Sequence, residues 1–205
     1  MNTNDVKTDE EIKTKVLRLQ LDGEWNIHSF SEFLESIAFI YDFINLCQPK
    51  QQDILIGFFK SVRPTPYQRR DIILSVCSVK SSSALFLKRI QISSPGFADF
   101  IGIGKVLSEL RELLKDLSYR NRYEKQSMKT KSQLEALELE RLELRNRILK
   151  KLSNKIIGQL ELNDINSSEA DLTLRLIFEK PIYSIETAGY EGKFISSIET
   201  EEKKN

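Results

Sequence analysis

The sequence predicts an α+β domain that carries a long, charged, projecting helix. One observation is strand-like alternation: Leu17, Leu19 and Leu21 are separated by Arg18 and Gln20, the period of a strand with one buried face. A second is helical spacing in HSFSEFLESIAFIYDFINL and FADFIGIGKVLSELRELLKDL, whose apolar residues fall on one side. The third is Tyr119 to Ile156, where Leu and Ile recur at helical spacing inside a dense mixture of Arg, Lys and Glu. A chain of 205 residues with 40% hydrophobic content buries one sizeable core and leaves material for an appendage.

Residues 1–14 are polar and aperiodic and are expected to be a disordered tail. An α+β domain is expected over 15–118. Its first strand starts at Lys15 and ends at the Asp22-Gly23 turn signal; Trp25 and an aromatic helix follow. Ser29 or Ser31 caps that helix, and Phe33, Leu34, Ile37, Ile40, Tyr41 and Ile44 form its buried face. Pro49, Pro64 and Pro66 interrupt the region from Gln48 to Arg70, where DILIGFFKSV fits a strand or a helical turn, and the sequence leaves the choice open. DIILSVCSV and ALFLKRIQIS are rich in β-formers and lie a hairpin loop apart, so two paired strands are expected. Pro95 and Gly96 then introduce a helix over 97–117, with Phe97, Phe100, Ile103, Leu110 and Leu117 on one side.

A long charged helix is expected over 119–160; whether it continues the preceding one without a break is open. Leu142, Leu149 and Ile156 are seven apart, Leu152 adds a neighbouring position, and Leu137 and Leu144 make a second stripe. Arg145 falls where a strict seam wants an apolar residue, so this is a broad apolar face rather than a dimeric zipper. Glu143 with Arg147 is an acid-first pair worth about 0.2 to 0.5 kcal/mol. Beyond Gly158 and a loop from Asn163 to Asp171, LTLRLIF alternates again, with Leu172, Leu174, Leu176 and Phe178 on one face. Pro181 and IYSIET predict a last irregular strand, so 161–198 is expected to return and complete the domain. Residues 199–205 read as a second tail.

In order these elements are strand, helix, strand, strand, helix, strand, which resembles the ferredoxin-like βαββα(β) sandwich, a plan that hosts many unrelated functions. Two local units also resemble parts of uncharacterised bacterial proteins: the strand, Gly23, Trp25 and aromatic helix, and the strand, Ser94-Pro95 and helix. The resemblance implies no activity, cofactor or site.

Composition narrows the function classes. With 31 basic and 30 acidic residues the chain is not a general polyanion binder, yet residues 118–156 hold 11 Lys or Arg against 5 Glu. Cys47 and Cys77 sit in apolar contexts suited to buried thiols in a reducing cytoplasm. No apolar run reaches the roughly 18 residues of a spanning helix. His28 is the only histidine, so multi-histidine metal sites are excluded, and its serine neighbours read as helix caps. No catalytic residue, metal or cofactor is expected. Gly102, Gly104 and Lys105 suggest a phosphate loop, but Asp99 and Val106 stand where such a loop needs Gly and Ser or Thr. Backbone packing is the better account of those glycines.

The leading expectation is a non-enzymatic, cytoplasmic assembly module. Leu137, Leu142, Leu144, Leu149, Leu152 and Ile156 would bury against a second copy or a partner protein's helix. Nucleic acid is the main rival partner, through Arg120, Arg122, Lys125, Lys129 and Lys131 with Tyr119 and Tyr123 among them. Membrane contact through 97–117 is the weaker alternative, because its acids match its bases and cancel attraction to anionic lipid.

Overall fold

The computed structural model describes residues 14–49, 51–60, 65–79, 85–91, 93–118, 131–162 and 167–201. Among them are four strands, β1 (Thr14–Leu21), β2 (Phe86–Gln91), β3 (Gly96–Ile103) and β4 (Phe194–Glu201). Six helices accompany them: α1 (Ile27–Leu46), α2 (Gln52–Lys60), α3 (Pro66–Val79), α4 (Gly104–Ser118), α5 (Lys131–Gln159) and α6 (Ser167–Tyr190). All pairings in the sheet are antiparallel, in the order β2-β3-β1-β4, so the first and last strands lie side by side.

β1 follows its alternation. Leu17, Leu19 and Leu21 are buried and join the helices in one core, while Val16, Arg18 and Gln20 point to the other face and are partly exposed. On α1, Phe33, Ile37, Ile40 and Ile44 enter that core, and Phe33 meets Phe194 of β4 at 5.7 Å between ring centroids. The cap is Asn26, whose side chain accepts from the His28 backbone N–H at 2.8 Å, and not Ser29 or Ser31. Val106, Leu107, Leu110, Leu114 and Leu117 of α4 are buried, each worth roughly 1.5 to 3 kcal/mol. Gly102 is packed against Tyr41: a Cβ there would lie 2.6 Å from the Tyr41 Oη. Tyr41 in turn accepts the Ile103 N–H at 2.8 Å.

Several expectations are corrected. DIILSVCSV is not a strand but the body of α3, because Thr65-Pro66-Tyr67-Gln68 starts a helix. Gln68 Oε1 accepts the Thr65 N–H at 2.9 Å and Pro66 occupies the first turn. The hairpin therefore joins β2 to β3. Residues 97–103 are the strand β3 rather than the start of a helix, and α4 begins only at Gly104. LTLRLIF and IYSIET both lie in α6, which runs through Pro181. Ala170, Leu174, Ile177, Phe178, Ile182 and Ile185 are its buried side, at helical spacing. The open segment from Gln48 to Arg70 contributes α2 and the start of α3. The returning strand is β4, which extends to Glu201 and so takes in residues 199–201. Finally, α5 does not project: Ile148, Leu149, Leu152 and Ile156 belong to the common core.

Candidate functional site

Helix α5 carries most of the residues singled out in the sequence, and its inner side is held by both apolar and charged contacts. Lys151 pairs with Asp116 at 2.7 Å and Lys155 with Glu109 at 2.9 Å, which ties α5 to α4. Ser153 donates to Asp171 of α6 at 2.6 Å. Farther along, Arg141 and Arg145 reach the same buried carboxylate, Glu186, at 3.2 and 2.8 Å. Arg141 also lies over the Tyr190 ring at 4.0 Å and Arg145 over Tyr183 at 4.7 Å. The polar break in the leucine stripe is therefore an ion-pair station on α6.

Of the six seam residues, Leu137, Leu149, Leu152 and Ile156 are buried and Leu144 is half-buried against the core. Leu142 is 49% exposed, and so is Leu139 at 60%, a residue the sequence reading passed over because it lies outside both stripes. Leu139 and Leu142 are neighbours at i and i+3 on the solvent side. Around them, Glu135, Glu138, Glu140 and Glu143 are exposed toward the N-terminal half, and Arg147 and Lys150 toward the C-terminal half. Arg120, Arg122, Lys125 and Lys129 lie outside the described residues; Lys131 opens α5, with its side chain also outside them.

No protein-family model, curated protein or solved structure matches the chain. Function must therefore be argued from the surface itself.

A polar groove of about 400 Å³ opens between α4 and the ends of β1 and β4, lined by Lys15, Ser108, Arg111, Glu112, Glu199 and Thr200. Several of its groups pair with one another, whereas the Arg111 Nε is buried without a hydrogen-bond partner among the described residues. Lys15 pairs with Glu199, and Ser108 hydrogen-bonds to the same carboxylate at 3.0 Å and to the Gly104 carbonyl at 2.9 Å. The carboxylate that Ser108 meets is held by a lysine, which makes it a poor base for activating the hydroxyl. His28 is exposed at the start of α1, five residues before that helix's first buried side chain, Phe33. Among the described residues no group of three His, Cys, Asp or Glu side chains converges as a metal site, and no helix is long and apolar enough to cross a membrane. The apolar side of α4, the membrane candidate, is turned into the core.

The sheet face away from the helices is the other large surface. Arg18 donates from Nε and Nη2 to the two oxygens of Asp99, both at 2.7 Å. The same guanidinium lies 4.4 Å from the Phe97 ring centroid, and that of Arg89 lies 5.2 Å from it. Phe86 and Ile198, on the two outer strands, are 64% and 42% exposed. No sequence motif marks this face. It becomes visible only when the register places β1, β2 and β3 beside one another.

Proposed function

We propose that the protein is a non-enzymatic assembly module in which two copies pair antiparallel through the outer stripe of α5. The observation that carries the reading is the exposure of Leu139 and Leu142 on a helix with acids in one half and bases in the other. Antiparallel pairing about Leu139 and Leu142 brings Glu135 of one copy toward Arg147 of the next, at the cost of setting Glu138 of each copy opposite Glu143 of the other. The inner leucines hold α5 rigidly in place, which reduces the ordering cost of association. Leu139 and Leu142 are already about half covered, so the four leucines of the two copies contribute roughly 3 to 6 kcal/mol, against an association cost of about 4 to 15 kcal/mol. The dimer is accordingly weak and forms with rising concentration. The scaffold is read as ferredoxin-like, supported by the β2-β3-β1-β4 order and by helical crossovers between β1 and β2 and between β3 and β4. A cytoplasmic setting is supported by Cys47, a buried cysteine outside any disulfide.

Light scattering over a wide range of protein concentration tests the proposal. The parent should gain mass toward a dimer, and Leu142→Asp should stay monomeric with an unchanged circular dichroism spectrum. A parent that is monomeric throughout, or a Leu142→Asp chain that associates like the parent, refutes it. Leu149→Asp is no test, because that side chain lies in the core.

A further inference from the structure

We infer that the open face of the sheet is a binding platform for single-stranded nucleic acid, centred on Phe97. This activity is separate from pairing through α5 and holds whether or not the copies associate.

The register across the four strands builds the platform. Arg89, Asp99, Arg18 and Ile198 lie side by side in one row; Gln91, Phe97, Gln20 and Ser196 form the next. In the first row there are two guanidiniums and one carboxylate, and Asp99 is buried beneath Arg18 with both oxygens occupied. The charge this face offers to solvent is therefore positive. Phe97 stands between the guanidiniums at 4.4 and 5.2 Å, so a ring and two planar cations lie within reach of one base and its phosphates. The flanking amides of Gln20 and Gln91 and the Ser196 hydroxyl can exchange their present contacts, including the 2.5 Å bond from Ser196 to Gln20, for base edges.

The alternatives fit less well. A protein partner or a second copy would seal the face with a desolvated core from which charges are depleted. Here the row Arg89, Asp99, Arg18 and Ile198 carries three charged groups, costly to dry without a counter-anion. An oligonucleotide brings that anion and aromatic faces together. Duplex DNA does not fit, since four strands span about 14 Å between the outer two and a major groove is about 12 Å wide. A single strand can lie flat with its bases on the sheet, as four-stranded sheets bearing aromatic side chains permit.

The experiment is fluorescence anisotropy of a short labelled single strand of mixed sequence, as DNA and as RNA, with the full chain. The parent should bind, and two phosphate contacts should weaken binding about sevenfold between about 50 and 200 mM salt, at a log–log slope of about −0.7 per phosphate. Phe97→Leu, which keeps apolar cover for the arginine stems, should weaken binding about fivefold or more by removing the stacking ring. Arg89→Glu, on the exposed edge strand, should weaken it at least as much, and Leu142→Asp should not change it. No binding by the parent overturns the inference. So does binding that Phe97→Leu and Arg89→Glu leave unchanged, which would put the strand elsewhere, such as on residues 120–131. A parent dimer that Arg89→Glu dissolves, without oligonucleotide binding, would assign the face to a second copy instead.

Discussion

Asp42 lies half-buried on α1, and burial pushes its carboxyl up to about 6. The sign follows from the two states. Below the ordinary value of 3.8 the group is protonated whether the chain is folded or not, and it has no effect on stability. As pH rises from there to about 6, the unfolded chain releases its proton while the folded chain retains it, and stability falls. Above that range the full cost remains. Asp42→Asn should therefore stabilise the protein at neutral pH by about 1 kcal/mol, after allowance for solvent screening, with the gain vanishing toward pH 4. Denaturant titrations of both chains at the two pH values check this; an equal difference at both would show that ionisation is not the cause. Legibility at this scale was uneven. Leu17, Leu19 and Leu21 are buried as their alternation implies, and Gly102 serves backbone packing as expected, against Tyr41. The guanidiniums beside Phe97 left no trace, because β1, β2 and β3 are far apart in sequence and only pairing brings their residues together.

The union of α5 and α6 rests on a buried carboxylate between two arginines. Removing one partner of such a set leaves uncompensated charge in a poorly solvated place. Glu186→Ala should cost about 3 to 5 kcal/mol, far more than a surface pair at about 0 to 1 kcal/mol. Urea unfolding monitored by circular dichroism measures it, and a loss under about 1 kcal/mol would mean that Arg141 and Arg145 are as well solvated as surface groups. The elements misread from sequence share one cause: local composition outweighed signals of helix geometry. β-formers in DIILSVCSV masked the capping box at Thr65 and Gln68, and the alternation of Leu172, Leu174 and Leu176 masked the longer spacing from Ala170 to Ile185. In β3 the apolar residues Phe97 and Ile101 occupy the open face while Ala98 and Phe100 occupy the core, so the strand carries apolar groups on both sides and imitates a helix. The α5 stripe was recognised, but periodicity states that a face is covered and not by what. Most of it is covered by this chain itself.

At the scale of the molecule, β1 is an interior strand paired on both sides, and β4 is one of those sides. Phe194 adds a buried ring against Phe33. A chain stopped after Gly192 should lose cooperative unfolding, because a strand built for the interior becomes a bare edge. Calorimetry decides the matter: a retained sharp transition would show that β4 is an addition to a core complete without it. The opposite edge is managed differently. β2 has all its residues exposed, but Lys88, Arg89 and a register shift between Leu87 and Arg89 discourage pairing with another chain.

The neighbourhood of β1 and β4 also sets a clock. Leu21 and Phe194 are partners separated by most of the sequence, and at about 5 to 20 residues per second a ribosome needs about 9 to 35 s to pass from one to the other. For that interval a newly made β1 has one flank that nothing yet synthesised can occupy, and it must be shielded or wait.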